Sequence, residues 1–144
     1  MPAPAYEGRV RFPDTDYARL PFFGLYFYWF HHAYEDALAR EGIRFADLIG
    51  KHGVSAPAVE TRCRYLRPLP LGESYRIDLR VAEFSARGWT VEYRLTRADD
   101  GELAAEAEVR NRFVDIAEKR GTELEGELLE LARRFAEAHA QWPA

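Results

Sequence analysis

The chain has 144 residues, of which 47% are hydrophobic and 14% aromatic, and its 20 basic and 24 acidic residues give a formal net charge of -4. This length suits one domain, and the apolar content supports a packed core and excludes a disordered chain. The acidic balance excludes the strongly basic footprint of a nucleic-acid-binding protein.

The first half of the sequence predicts a strand followed by a long buried helix. Residues 9–12 alternate polar and apolar side chains, as a half-buried strand does. After a loop over residues 14–21, residues 23–40 have apolar side chains at spacings of three and four, and Gly42 stops the helix. Because this helix is apolar on more than one side, we expect it to be largely buried, with a short helix over residues 45–49 after it.

The second half predicts an antiparallel sheet and a terminal helix. Four segments alternate like strands, and the turn residues at 85–88 and 98–101 connect neighbouring strands. These strands are expected at residues 59–66, 74–84, 89–96 and 103–116. A second helical pattern spans about residues 122–140. The order predicts a single α+β domain over residues 1–144, in which one curved antiparallel sheet packs against one buried helix.

Several classes of site lack their sequence signals. The nucleotide-binding glycine loops and the serine-hydrolase elbow are absent. His31 with Glu35, and His32 with Asp36, are spaced i, i+4, but a metal site needs a third ligand, so we interpret them as local hydrogen-bonding pairs and expect no metal. Cys63 lies within a strand pattern and is expected to be a small core residue.

The compartment can also be predicted. A single cysteine excludes an intrachain disulfide and suits a reducing cytoplasm. Residues 1–7 lack the pattern of a signal peptide. The longest apolar stretch, residues 20–30, contains Pro21 and Gly24 and is too short to cross a bilayer. We therefore expect a cytoplasmic protein with no membrane segment.

Two carboxylates, Asp14 and Asp16, lie in the loop that leads into the long helix. Aspartates in such loops commonly form turns and cap helices. A catalytic interpretation is also open, because the first turn of a helix leaves backbone N–H groups free to hold the oxygen of a polarised carbonyl. A carboxylate beside that carbonyl can attack it or activate a water molecule, and Phe22, Phe23 and Tyr26 would exclude bulk water. The spacing alone does not decide between the two interpretations.

The same loop carries a recognisable motif. Residues 12–18 read Phe-Pro-Asp-Thr-Asp-Tyr-Ala, and an aromatic segment over residues 22–27 follows. This segment resembles the opening motif of hotdog-fold acyl-CoA thioesterases, in particular the 4-hydroxybenzoyl-CoA thioesterase group and its short-chain acyl-CoA relatives. The resemblance covers about residues 6–117 and leaves the C-terminal helix, about 122–140, outside the shared core.

The resemblance implies a hotdog fold, in which a curved antiparallel sheet wraps around one long central helix. It implies hydrolysis of a small or medium acyl-CoA, with coenzyme A as part of the substrate and no separate cofactor. Asp16 would be the catalytic carboxylate, as base or nucleophile, and the Phe23 N–H would polarise the thioester carbonyl. Arg87 has the position of a basic residue that contacts coenzyme A phosphates in some relatives. Members of the family form dimers and tetramers with active sites at subunit interfaces, so a homodimer or homotetramer is expected.

Three positions depart from the family pattern. Relatives commonly have a small residue, often glycine, where this chain has Arg19. Many short-chain members have a histidine where it has Phe23, and some have a tyrosine where it has Phe12. We therefore expect an apolar, aromatic pocket lined by Phe22 and Tyr26, which Arg19 either narrows or equips to contact a carboxylated or phosphorylated ligand. Two alternatives stay open: a thioesterase acting on acyl carrier protein, and a non-catalytic module that binds acyl-CoA.

Overall fold

The computed structural model describes residues 4–143, so residues 1–3 and 144 of the predicted domain lie outside the described residues. Five strands form the large antiparallel sheet: β1 (Tyr6–Arg9), β3 (Ala58–Tyr65), β4 (Ser74–Ser85), β5 (Gly88–Arg97) and β6 (Leu103–Arg112), in the order β1-β4-β5-β6-β3. Three short strands form a second sheet: β2 (Val54–Ser55), β7 (Val114–Asp115) and β8 (Arg120–Gly121). The helices are α1 (Leu25–Arg40), α2 (Phe45–Gly50) and α3 (Gly126–Ala138).

The long helix α1 lies against the inner face of the large sheet. Trp29 stacks on Tyr75 of β4 with ring centroids 4.6 Å apart, and Phe30 lies 5.1 Å from the ring of Tyr93 on β5. Burial of each such aromatic side chain contributes about 1.5–3 kcal/mol to stability. Gly42, with φ of 85°, follows the end of the helix as predicted. The predicted α+β arrangement of one buried helix against an antiparallel sheet is therefore confirmed.

The outer face of the large sheet is charged. Arg62 of β3 lies 2.7 Å from Glu108 of β6, and Arg64 lies 2.8 Å from Glu106. Arg80 of β4 pairs in the same way with Glu92 of β5. Each of these pairs is partly exposed and contributes only about 0–1 kcal/mol. Their main effect is to keep this face of the sheet polar and exposed to solvent, as the alternation of side chains predicts.

The C-terminal helix α3 extends the core. Its Phe135 lies with its ring centroid 5.0 Å from that of Trp89 on β5 and 6.3 Å from that of Tyr34 on α1. The indole N–H of Trp89 donates a buried hydrogen bond of 2.9 Å to the Tyr34 hydroxyl. This helix is thus part of the same hydrophobic core as α1 and the sheet.

Beyond α3 the chain crosses the edge of β4. The pairing of β1 with β4 reaches only as far as Ile77, and the Val81 N–H donates to the His139 carbonyl at 2.8 Å. The ring of Trp142 then lies under the Arg94 guanidinium, 4.0 Å from ring centroid to Cζ, on the charged outer face. The C-terminal segment therefore covers part of an edge that β1 leaves open.

Two strand predictions need correction. The strand expected at residues 9–12 lies instead at Tyr6–Arg9, where it pairs with β4, and residues 12–14 form a 3₁₀ turn that begins at the proline-containing segment. The strand expected at 103–116 ends at Arg112, and Val114–Asp115 pairs with β2 in the second sheet. Within the described residues, no helix has the length and hydropathy needed to span a membrane.

Candidate active site

Asp16 begins a tight three-residue hairpin turn before α1. The Asp16 N–H donates to the Leu20 carbonyl at 3.0 Å, and the Arg19 N–H donates to the Asp16 carbonyl at 2.9 Å. Thr15 and Pro21 form a bridge on either side of the turn. The three residues between Asp16 and Leu20 form a loop type that needs a left-handed residue at its third position.

Arg19 occupies that left-handed position, with φ of 62°. Glycine adopts this backbone conformation without steric cost, whereas a residue with a Cβ pays for it. This explains in physical terms why glycine suits the position that Arg19 holds. The Arg19 side chain is exposed to solvent, and across residues 4–143 it forms no ion pair with Asp16.

The Asp16 carboxylate is exposed and accepts a hydrogen bond through one of its two oxygens. Its Oδ1 accepts a hydrogen bond of 2.8 Å from the Ala18 N–H, which stabilises the turn. Among the described residues no donor faces Oδ2. Asp14, by contrast, accepts from the Arg11 N–H at 2.8 Å and so caps the 3₁₀ turn. The two carboxylates thus both shape the loop, and Oδ2 of Asp16 stays without a protein donor among the described residues.

The start of α1 presents free backbone donors. The Leu25 N–H donates to the Phe22 carbonyl at 2.9 Å, but within residues 4–143 the N–H groups of Phe23 and Gly24 meet no protein acceptor. Free N–H groups at a helix start carry partial positive charge and can stabilise an oxyanion. The Phe23 carbonyl, in turn, accepts a hydrogen bond of 2.8 Å from the Tyr65 hydroxyl at the end of β3. The edge strand therefore fixes the backbone at the point where the donors lie.

A cavity of about 340 Å³ opens beside this helix start. Leu20, Pro21, Phe23, Tyr26 and residues 65–69 line it. Tyr26 is buried and meets the ring of Tyr65 edge-on, with centroids 4.9 Å apart. Burial, followed by the neighbouring Cys63 and Tyr26, raises the pKa of Tyr65 to about 12. Its hydroxyl therefore stays protonated at neutral pH and can donate to the backbone.

The structure brings some of the predicted site residues together and separates others. Phe23 and Tyr26 share the cavity at the helix start, and Phe22 packs on Phe23 with ring centroids 4.7 Å apart. Phe22 is 56% exposed and Phe23 66% exposed, so the aromatic side chains do not enclose the site in a single chain. Asp16 lies at the turn just before this cavity, whereas Arg87 lies at the opposite end of the sheet.

Arg87 belongs to a second, basic groove of about 430 Å³ at the β4–β5 turn. Arg110 and Arg112 of β6 line the same groove. Arg87 forms an exposed ion pair of 3.0 Å with Glu123, and Arg110 lies 3.7 Å from Glu60. Arg110 and Arg112 are not among the residues predicted from the sequence. Their spacing of two on β6 places both on the same face of the strand, and this spacing is the signal in the sequence that indicates the groove.

Metal-ligating side chains do not converge in the part of the chain that the structure describes. His31 lies 3.8 Å from Glu35, both exposed on α1, and no group of three potential ligands occurs within residues 4–143. Cys63 is half-buried beside Tyr65 on β3, and burial raises the pKa of its thiol. Within the described residues, His31 therefore has Glu35 as its acidic neighbour, and Cys63 is a half-buried residue of β3.

Comparisons with known proteins identify the family and the fold. The model of the thioesterase-like superfamily matches residues 10–132. A 1,4-dihydroxy-2-naphthoyl-CoA hydrolase of Nostoc punctiforme is 30% identical over 92% of this chain and 90% of its own length. The structure of a 1,4-dihydroxy-2-naphthoyl-CoA thioesterase from Synechocystis has a TM-score of 0.81 and 22% identity, covering 91% of this chain and 93% of the other. A DHNA-CoA thioesterase from Staphylococcus aureus has a TM-score of 0.84 and 20% identity, covering 94% and 89%. The last two establish a common fold, which is that of hotdog thioesterases.

Proposed function

Because the chain belongs to the thioesterase-like superfamily, we propose that it hydrolyses the thioester bond of an acyl-coenzyme A with the residues at the start of α1. The observation that carries this proposal is the pair of free N–H groups at Phe23 and Gly24, which lie beside an aromatic cavity and directly after the Asp16 turn. The relatives named as 1,4-dihydroxy-2-naphthoyl-CoA hydrolases make that aromatic thioester the first substrate to test.

The chemistry needs an oxyanion site and a carboxylate. The thioester carbonyl oxygen would accept from the Phe23 N–H, so that negative charge developing on that oxygen is stabilised. Asp16 Oδ2 would take a proton from water while the water oxygen attacks the carbonyl carbon. The tetrahedral intermediate then collapses, the carbon–sulfur bond breaks, and the coenzyme A thiolate takes up the proton that Asp16 holds. Alternatively, Asp16 attacks the carbonyl carbon directly, the carbon–sulfur bond breaks as the thiolate leaves, and water hydrolyses the resulting anhydride and restores the Asp16 carboxylate.

A complete site calls for two copies of the chain. Strand β3 is an edge of the large sheet, and its residues are exposed apart from half-buried Cys63. Val59 is 52% exposed and Tyr65 45% exposed on this edge. An uncovered strand with apolar side chains is a template for pairing with another strand. The simplest closed arrangement is a two-fold dimer in which β3 pairs antiparallel with β3 of a second copy.

This pairing would also unite the two ends of the site. The Phe23 cavity lies at the Tyr65 end of β3, and the groove of Arg87 lies at the Val59 end. The two ends are separated by ~23 Å along an eight-residue strand. Antiparallel pairing would set the arginine groove of one copy beside the Phe23 cavity of the other. The phosphates of coenzyme A would then meet Arg87, Arg110 and Arg112 while the thioester reaches Phe23.

Steady-state hydrolysis of an acyl-CoA panel, including 1,4-dihydroxy-2-naphthoyl-CoA and 4-hydroxybenzoyl-CoA, tests the proposal. Asp16→Asn should lower kcat by about a hundredfold or more, because it removes the base or nucleophile. Asp14→Asn is the matched control, because Asp14 only caps the neighbouring turn. Turnover of no substrate would overturn the function, and a change of less than about threefold in Asp16→Asn would overturn the role of Asp16.

The alternatives considered from sequence receive no specific support. A non-catalytic module would be favoured if Arg19 blocked the site, but its side chain is exposed and does not line the cavity at the helix start. A carrier-protein substrate would be recognised through surface arginines, and hydrolysis of the same acyl group on the two carriers separates the possibilities.

Lone Cys63 supports a cytoplasmic, reducing location.

A further inference from the structure

A third cavity, of about 280 Å³, lies between the middle of α1 and the inner face of the sheet. Phe27, Phe30, His31 and Tyr34 from α1 and Tyr93 from β5 supply aromatic walls, and Thr61 and Asn111 add polar side chains. Ala58, at the start of β3, forms part of its rim. Apolar cavities with a few fixed polar groups are typical of small-molecule sites, and the polar groups determine which molecule fits.

One buried polar atom at this cavity lacks a hydrogen-bond partner within the described residues. Asn111 is 7% exposed, and its Nδ2 donates to the Ala56 carbonyl at 2.9 Å, but its Oδ1 is buried without any donor. The side chain of Tyr93, which lines the same cavity, is 3% exposed and carries a hydroxyl as a second polar group. Buried polar groups are nearly always hydrogen-bonded, so the unpaired Asn111 oxygen requires an explanation.

The chemistry of the two groups limits what satisfies them. Asn111 Oδ1 can only accept a hydrogen bond, whereas the Tyr93 hydroxyl can donate and accept. Burial, together with the nearby Tyr34, raises the pKa of Tyr93 well above its ordinary value, so the group is a neutral hydroxyl. A ligand that satisfies Asn111 Oδ1 must therefore carry a hydrogen-bond donor, on a body that packs against aromatic rings.

We propose that Tyr93 and Asn111 are specificity-determining residues that select an acyl group with a hydroxyl on an aromatic ring. This inference rests on the proposed thioesterase function. The ring would lie in the cavity, and its hydroxyl would donate to Asn111 Oδ1, with the Tyr93 hydroxyl as the second polar contact. An acyl group without the hydroxyl would leave Asn111 Oδ1 unpaired and would be rejected for that reason.

The place of the cavity agrees with the proposed dimer. Ala58 and Tyr65 are the two ends of β3. Antiparallel pairing would set the Ala58 rim opposite the Tyr65 end of the second copy. The Phe23 N–H of that second copy would then face the mouth of the cavity, with the thioester carbonyl at the rim and the ring inside.

The test compares two substrates that differ only in hydroxyl groups, 1,4-dihydroxy-2-naphthoyl-CoA and 2-naphthoyl-CoA. Wild type should prefer the hydroxylated thioester by at least about tenfold in kcat/KM, and Tyr93→Phe should lower that preference by about tenfold. The value of kcat/KM should fall for the hydroxylated substrate, whereas 2-naphthoyl-CoA should be turned over within about twofold of the wild-type rate. Asn111→Leu should reduce the preference in the same direction.

Tyr75→Phe is the matched control, because it removes another buried tyrosine hydroxyl that does not line this cavity. It should leave the preference unchanged. Calorimetric titration with free 1,4-dihydroxy-2-naphthoate gives a second readout, in which Tyr93→Phe should weaken binding about tenfold. An unchanged preference in both cavity variants, while the thioesters are hydrolysed, would overturn this inference alone. Hydrolysis of no acyl-CoA by wild type would overturn the proposed function and this inference with it.

Discussion

The Tyr65 hydroxyl donates a hydrogen bond of 2.8 Å to the carbonyl oxygen of Phe23. The two residues are 42 positions apart, and the bond joins the exposed edge strand β3 to the first residues of the central helix. The backbone donor at Phe23 is thus positioned by a side chain from a strand that the proposed dimer would cover. An oxyanion donor misplaced by a fraction of an ångström loses much of its effect, so in the proposed site loss of this contact should lower the rate of hydrolysis.

Replacement of Tyr65 by phenylalanine should lower kcat about tenfold with little change in KM, because the variant loosens the donor without removing any substrate contact. The melting temperature should stay within about 2 °C of wild type, since a half-exposed hydroxyl contributes little to folding. Tyr28→Phe is the control, because Tyr28 is 62% exposed on α1 and its ring lies against that of His32, with centroids 4.5 Å apart. A rise in KM at constant kcat in Tyr65→Phe would contradict the positioning role.

Replacement of Arg19 by glycine should stabilise the protein. Relief of the left-handed conformation gains about 1–2 kcal/mol, and the greater freedom of glycine in the unfolded chain offsets about 0.5–1 kcal/mol of this. Urea denaturation should therefore show a gain of about 0.5–1 kcal/mol. Lys119, like Arg19, is a non-glycine residue with a positive φ (57°), and Lys119→Gly should behave similarly at a distance from the site. If Arg19 instead contacts the ligand, KM will rise in Arg19→Gly and stay constant in Lys119→Gly.

The proposed dimer predicts complementation between two defective variants. Asp16→Asn removes the carboxylate from one end of the site, and Arg87→Glu reverses a charge in the groove at the other end. If each site draws one end from each copy, a mixed dimer contains one intact site, and an equal mixture should recover roughly a quarter of wild-type activity. Light scattering should give twice the chain mass. No recovery after subunit exchange would show that Asp16 and Arg87 serve the same site from one chain or separate sites.

His139 should make folding stability depend on pH. Burial lowers its pKa from the usual value, nearby Arg40 lowers it further, and Glu41 opposes the shift. The unfolded chain then binds a proton at a higher pH than the folded chain does, so stability is full above about pH 6.5 and declines as pH falls toward the folded pKa. Denaturation midpoints measured from pH 7.5 to 5 should show this decline in wild type and a smaller one in His139→Gln. His31→Gln, an exposed control on α1, should retain the wild-type slope.

The fold could be predicted largely because its patterns are local. Alternation in β4 and β5 and the stop at Gly42 follow from neighbouring residues, and the structure confirms them. The position of β1 could not be predicted in this way, because its register is chosen by pairing with Ser74 to Ile77, some 65 residues later. Strand β6 ends early because Phe113 turns into the core and the next residues pair with β2.

The candidate site shows the same difference between local features, which the sequence predicts, and contacts between distant residues, which it does not. The sequence predicts that Asp16 and Phe23 lie at the entry to α1, and they do, because the loop and helix are contiguous; their catalytic roles stay predictions. No local pattern indicates that Tyr65 would bond to Phe23, or that Asn111 Oδ1 would be left unpaired at a cavity that Tyr93 also lines. Those relationships arise when separate strands meet the helix, so only the folded chain shows them.

The path of the chain after α3 has a practical consequence for handling the molecule. Because His139 bonds to β4 and Trp142 packs against Arg94, residues 139–142 lead onto the charged side of the sheet, on the other side from α1. A dye or surface linker attached at exposed Gln141 would therefore leave the helix side of the sheet free. For labelled or immobilised protein, this segment is the attachment point of choice.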